Sequence, residues 1–236
     1  MDAQAEASIS ERFKSVLGQI SQTAQACGRR ADNVRLVAAT KMVSIERIRE
    51  AIAAGLSIAG ENRLQEALPK IEGLRSAPIR WHFIGRLQRR KARSIVGVFD
   101  LIHSVDSLEL AQEIDRRAEA AGVQQDILLE INIAEEATKA GFRAEELEWL
   151  LPKFEALRYV RVKGLMTIPP LVRNPEEARQ YFRTIRELAG RLAQQAVPGV
   201  SMDDLSMGMS NDFRIAIEEG ATLVRVGTAI FGGRHA

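Results

Sequence analysis

Apolar positions recur along this chain at two spacings. From Ile9 to Cys27 they fall at helical intervals, at Ile9, Phe13, Val16, Leu17, Ile20 and Ala24, and Gly28 supplies a stop. A short apolar run, Val34 to Met42, then has strand length and composition with no glycine or proline. After it the two patterns alternate. Strands are predicted over 34–41, 56–60, 79–85, 99–105, 125–133, 159–168, 205–207 and 222–226. Helices are predicted over 45–55, from 63 to 74, within the basic stretch after the third strand, and over 107–121, 144–156, 175–195 and 211–219. Eight strand–helix units are the count that a single α/β (β/α)8 TIM barrel requires, although two halves of an open doubly wound sheet would read similarly. One domain over residues 1–236 is the economical reading. The leading helix, within residues 1–30, is extra to the barrel.

Within strand five the alternation is clear. Ile127, Leu129, Ile131 and Ile133 share one face and Glu130 and Asn132 the other. In a barrel the apolar set packs outward under helices, so Glu130 and Asn132 are expected to face inward, with Lys41 and Arg225 as possible partners for the carboxylate.

Lys41 closes the first strand, the end at which a barrel does its chemistry. Against Val37 and Ala39 its ammonium would be partly desolvated, which favours the neutral amine and hence a Schiff base with an aldehyde. An ordinary surface lysine is the competing reading. Ser44 is a candidate cap for the following helix.

The C-terminal third carries two small-residue loops, Ser206 to Asp212 and Arg225 to Ala229. Both follow predicted strands seven and eight, the usual phosphate site of a barrel, where helix N-termini present free N–H groups. Ser210 would cap the helix beginning at Asn211. Arg225 alternates with Val224 and Val226, so it points inward. There it could bind phosphate, face a ring nitrogen of the ligand, or sit in a buried ion pair.

Composition narrows the class. With 46% hydrophobic and 27% charged residues and a formal net charge of +2, this is an ordinary globular chain with little bias toward nucleic acid. The basic run Arg86 to Arg93 reads as the polar face of a helix. The one cysteine, Cys27, excludes an intramolecular disulfide and a cysteine-based metal site. No stretch approaches the roughly 20 apolar residues that span a bilayer, and the acidic start is unlike a secretory signal. A cytoplasmic protein is expected.

A Schiff-base lysine and a phosphate cradle on one barrel mouth suggest pyridoxal 5′-phosphate (PLP). The motifs carry this further: VAATK (Val37 to Lys41), GEN (Gly60 to Asn62), WHFIGRLQ (Trp81 to Gln88), VDS (Val105 to Ser107), KAG (Lys139 to Gly141), GLMTI (Gly164 to Ile168), LSMGMSND (Leu205 to Asp212) and VRVGTAIFG (Val224 to Gly232). In this order, from Ile9 to Arg234, the chain resembles the pyridoxal phosphate homeostasis proteins of the YggS/PROSC type. The resemblance implies a fold-type III barrel like the alanine racemase N-terminal domain, with PLP on Lys41. It implies phosphate contacts from Ser210, Gly227 and Thr228, Arg225 near the pyridine nitrogen, and a pocket lined by Asn62, His82, Ile84, Ser206 and Met207. Lys139, after strand five, would help load or release cofactor, or be an ordinary solvated lysine. Two positions depart from the family pattern. Ala59 stands where FGEN has phenylalanine, and Arg90 stands where LQxNK has asparagine.

Racemase-like chemistry needs a second acid/base, commonly a tyrosine. The chain has 2 tyrosines. Tyr159 falls at the start of strand six and Tyr181 within a helix. With no second domain after the barrel, the expectation is a monomeric PLP carrier or reservoir in vitamin B6 and amino-acid homeostasis, delivering to apo PLP-dependent enzymes. The alternatives are a racemase or decarboxylase of low activity using His82 or Lys139, and an aldolase-like Schiff-base barrel without cofactor.

Overall fold

The computed structural model describes residues 7–136 and 139–233. Arg234, where the family resemblance ends, and the first six residues lie outside the described residues. Among those described, eight parallel strands close a barrel in sequence order. They are β1 (Arg35–Ala39), β2 (Ile58–Glu61), β3 (Arg80–Phe83), β4 (Leu101–Val105), β5 (Gln125–Ile131), β6 (Val160–Thr167), β7 (Val200–Ser206) and β8 (Leu223–Val226). Pairing of β1 with β8, Val37 opposite Arg225 and Ala38 opposite Val226, removes the doubly wound alternative.

Helices α2 (Ile45–Ala53), α3 (Leu64–Gly73), α4 (Leu108–Ala121), α5 (Ala144–Leu150), α6 (Arg179–Ala193), α7 (Phe213–Glu218) and α8 (Thr228–Phe231) follow every strand but the third. There the expected basic helix is a 3-10 turn, Arg89–Ser94. Of its six residues only Ala92 is buried, so no apolar stripe exists to hold an α-helix against the barrel.

The leading helix α1 (Ile9–Ala26) starts from a Ser8–Glu11 capping box and buries Ile9, Phe13, Val16, Ile20 and Ala24. Leu17, expected on that face, is 39% exposed at its edge. The helix packs beside α2, α7 and α8. Arg29 Nη1 donates to the Ile217 carbonyl at 2.6 Å and Nη2 to that of Ala221 at 2.9 Å, satisfying two carbonyls at the end of the short α7.

Two cores result. The inner one, inside the strands, gathers Val37, Ile58, Leu101, Leu128, Met166 and Leu223, with Ile84 against it. The outer one, between strands and helices, takes Ile127, Leu129 and Ile131 of β5, so the alternation in that strand holds and Glu130 follows Leu128 inward. Asn132 lies past the strand end, where its amide donates to the Glu136 carbonyl at 2.9 Å and ties down its own loop. Strand β7 is longer than expected because Asp203 and Asp204 interrupt its apolar pattern. Gly164 lets β6 meet it: a Cβ there would stand 1.9 Å from the Asp204 carbonyl oxygen.

Candidate cofactor site

The site lies at the mouth formed by the strand C-termini. Its first wall begins with a buried polar group. Thr40 Oγ1 donates to Glu61 Oε1 at 2.6 Å, and Lys70 Nζ donates to the same oxygen at 2.7 Å and to the Thr40 carbonyl at 2.8 Å. These bonds hold the end of β1 down onto β2 and α3. The Val43 N–H then returns to the Thr40 carbonyl at 3.0 Å, and Met42 takes a left-handed conformation with φ 60°. Lys41 therefore sits in a turn two residues beyond β1, and its side chain is exposed. The expected strand end at Lys41 and its packing against Val37 are corrected: β1 ends at Ala39, Val37 lies deep in the inner core, and Lys41 is exposed beside Ala39.

Lys41 lines a cavity of about 250 Å³ with Ala39, Met42, Arg47, Gly227 and Thr228. Gly227 precedes α8, where the first-turn N–H groups lack helical partners. A Cβ on it would be 3.2 Å from both Cβ and the carbonyl oxygen of Ala39, so glycine lets this loop approach β1. Thr228 Oγ1 donates to Ser210 Oγ at 3.0 Å, joining the loops after β7 and β8. The expected cap by Ser210 on a helix starting at Asn211 is corrected. Helix α7 begins at Phe213, after Asp212, whose Oδ1 accepts the Met209 N–H at 2.6 Å and tightens the loop first.

Arg225 forms the inner wall. It is buried, and its Nη1 donates to the Ser206 carbonyl at 2.7 Å and to Ser206 Oγ at 2.5 Å, while Nη2 donates to the Thr167 carbonyl at 2.8 Å. Burial lowers its pKa to about 10, opposed by Glu130 and Asp212, so it stays a cation at neutrality. Glu130 is pushed up to about 7, by burial first and then by Asp106, against the pull of Arg225 and Arg86.

Ser206 Oγ also contacts His103 Nδ1 at 2.8 Å, and His103 Nε2 lies 2.9 Å from His82 Nδ1. Burial depresses both imidazoles, His82 to about 3 and His103 well below its ordinary value, so both are neutral.

Asn62 stands just past β2, and its buried Oδ1 has no hydrogen-bond partner among the described residues. Gly85 passes close enough that a Cβ would fall 2.2 Å from the Asn62 carbonyl oxygen, and Gly60 leaves room for Ile84 above Val37.

The mouth thus brings together Lys41, Gly227, Thr228 and Ser210, with Ser206 and Arg225 bonded to each other deeper in. Asn62 and Ile84 occupy the neighbouring strand ends. Two residues lie elsewhere. His82 lines a separate cavity at the opposite mouth, and Met207 is fully buried in the outer core. Lys139 is exposed and pairs with Glu136 at 2.6 Å. Arg90 is exposed on the 3-10 turn, its Nε donating to Gln88 Oε1 at 3.0 Å. Sequence reasoning did not single out His103, Thr167 or the Lys70–Glu61 pair. His103 shares parity with Leu101, but every residue of that strand is buried, so no alternation marks it.

A family model described as the alanine racemase N-terminal domain matches residues 16–235. The pyridoxal phosphate homeostasis protein of Aquifex aeolicus is 46% identical over 224 residues, covering 95% of this chain and 97% of that protein. The chain belongs to the pyridoxal phosphate homeostasis protein family. A member from Escherichia coli is 37% identical, over 96% of this chain and 97% of its own. The structure of PipY from Synechococcus elongatus with PLP bound superposes with a TM-score of 0.83 at 39% identity, covering 95% of this chain and all of PipY. Alanine racemase of Clostridium difficile, at 15% identity and a TM-score of 0.71, shares the fold.

Proposed function

We propose that this family member binds PLP at the upper mouth, held as a Schiff base on Lys41, and acts as a carrier or reservoir in PLP homeostasis. The observation that carries the proposal is convergence: Lys41, the bonded Ser210–Thr228 hydroxyls and Arg225 meet at one mouth. The PLP-bound PipY structure and the names of the relatives support it. So does the unpartnered Oδ1 of Asn62, a buried acceptor awaiting a donor.

Bound PLP supplies a reactive aldehyde and an electron-poor ring. In this chain Ser210, Gly227 and Thr228 would hold its phosphate. Arg225 would face the ring nitrogen with donors only, and a permanent cation there disfavours a proton on that nitrogen and weakens the ring as an electron sink.

The carrier reading over a racemase or decarboxylase rests on where the tyrosines and His82 fall; Glu130, interacting with Arg225 and with its pKa pushed up to about 7, is the acid/base group the enzyme reading would have to use. Tyr159 precedes β6 at its lower end and Tyr181 lies in α6. Of the two other acid/base groups suggested, His82 lines the opposite mouth and Lys139 is exposed and paired with Glu136. Among the described residues no helix is long and apolar enough to cross a membrane. A monomer in the cytoplasm, delivering PLP to apo-enzymes, completes the proposal.

The test is the visible spectrum of the protein with PLP, wild type against Lys41→Ala, followed by borohydride reduction and peptide mass mapping. A yellow wild type with the cofactor mass on Lys41 is expected. A protein that stays colourless with added PLP would overturn the reading. Steady turnover across an amino-acid panel would replace the carrier by the enzyme.

A further inference from the structure

At the opposite mouth, where the strands begin, the barrel opens on a larger cavity of about 460 Å³. Its wall holds four basic side chains, Arg35, Arg80, Arg161 and Lys163, against three carboxylates. The carboxylates are already engaged. Arg35 pairs with Asp204, Arg161 Nε lies 2.6 Å from Asp126 Oδ1, and Asp100 Oδ2 accepts the Trp81 N–H at 2.7 Å. Arg80 and Lys163 have no ion pair among the described residues, so two cations remain for a ligand.

The cavity is also lined by His82, and the hydrogen bonds behind that ring have a direction. Arg225 can only donate, so Ser206 Oγ accepts from it. The Ser206 hydroxyl proton is then free to go to His103 Nδ1. His103 Nε2–H in turn donates to His82 Nδ1. His82 is left with its proton on Nε2, the one ring nitrogen of the pair without a hydrogen bond among the described residues. The reverse order would aim both Arg225 and His103 at Ser206 Oγ and leave the serine proton unused. A guanidinium at one end of the chain therefore presents an N–H donor at the other.

We propose that the lower mouth is a second ligand site, for a small oxyanion: the phosphate or carboxylate group of a metabolite, bound by Arg80, Lys163 and the Nε2–H of His82. Three donors of this kind suit an acceptor-only group, and the net positive wall favours it. This site is separate from the PLP site, on the far side of the inner core from Lys41, and is joined to it through the Arg225–Ser206–His103–His82 hydrogen bonds.

The experiment follows the imidazole nitrogens by 15N NMR while inorganic phosphate, and separately acetate, is added to the full chain. The background is Ser210→Ala/Thr228→Val, which removes the two hydroxyls of the phosphate cradle and weakens phosphate binding at the upper mouth. A saturable shift of His82 Nε2 is expected, weakened at least about tenfold when Arg80→Ala and Lys163→Ala are added, since each removes a charged hydrogen bond. A response to either anion supports the site, and which of them binds more tightly identifies the head group. No shift of His82 with either anion at millimolar concentration overturns the proposal. So does a shift that the Arg80→Ala/Lys163→Ala variant, still folded by urea titration, keeps in full.

Discussion

Lys70 Nζ lies 2.7 Å from Glu61 Oε1 in a buried ion pair, and the same ammonium holds the carbonyl of Thr40, the residue before Lys41. The pair links α3 to the ends of β1 and β2 and so fixes where the Lys41 turn begins. Among the described residues Glu61 Oε2 has no partner of its own, so the carboxylate depends on Lys70 and Thr40.

Lys70→Met should therefore be costly. It leaves a buried carboxylate without its cation, and about 3–5 kcal/mol of stability should be lost. Lys70→Met/Glu61→Leu should recover most of that, because the uncompensated charge is gone. Urea titration measures both; a single variant costing under about 1 kcal/mol would show that water reaches the carboxylate.

The Ser210–Thr228 hydroxyl pair should set cofactor affinity. Ser210→Ala and Thr228→Val are each expected to weaken PLP binding about tenfold, the worth of one hydrogen bond to a charged group. The two hydroxyls share a bond, so their effects should be coupled and the double variant should fall short of the product. Equilibrium dialysis reads the dissociation constants, and strict additivity would argue against a shared role.

Stability should fall in acid from about pH 6.5 downward. His82, with its folded pKa near 3, and His103 are held neutral by burial, while in the unfolded chain both take protons near their ordinary value. The unfolded state then binds more protons as pH drops through that window, and folding weakens. Glu130 acts in the opposite sense. Its folded pKa of about 7 means that the native state binds the extra proton between roughly pH 4.5 and 7, so it costs stability as pH rises through that range. Glu130→Gln should stabilise the protein at pH 8 and lose that advantage below about pH 5. Thermal melts across pH would show it; an advantage independent of pH would mean that the carboxyl is not the cause.

Glycines give a local contrast. Gly208 has φ 89°, and a Cβ there would come within 2.5 Å of Ala216 Cβ and 2.9 Å of Phe213 Cα. Its carbonyl accepts the Arg225 N–H at 3.0 Å. Gly208→Ala should cost about 2 kcal/mol or more and impair cofactor binding together with it. Gly18, in the interior of α1 with nothing near, should tolerate alanine and gain up to about 1 kcal/mol. Equal effects at the two positions would contradict this account.

The barrel was legible in sequence where burial leaves a period. The inward and outward sets of β5 could be read directly, and the glycine- and hydroxyl-rich loops marked the ends of β7 and β8. What was missed has physical reasons. The stretch after β3 reads as a helix because Leu87 lies in its basic run and Ile95 and Val96 follow; all three are buried, but within Arg89–Ser94 only Ala92 is, and that segment forms a 3-10 turn. His103 hides in a strand buried on both faces. Lys70 and Glu61 lie in different elements, and nothing in either segment points to the other. His82 shares parity with Ile84, which indicates that it faces inward but not how deep it sits.

The seam between β1 and β8 has a consequence for how the cofactor mouth comes into being. The lysine follows the first strand, while the arginine and the phosphate loop belong to the last, and they become neighbours only when those strands pair. A nascent chain lacking β8 would carry half a site, and contacts this distant in sequence are slow to form. Binding capacity would then report completed synthesis and closure of the ring. A ligand spanning the seam would act as a clasp, adding stability that grows with the logarithm of its concentration.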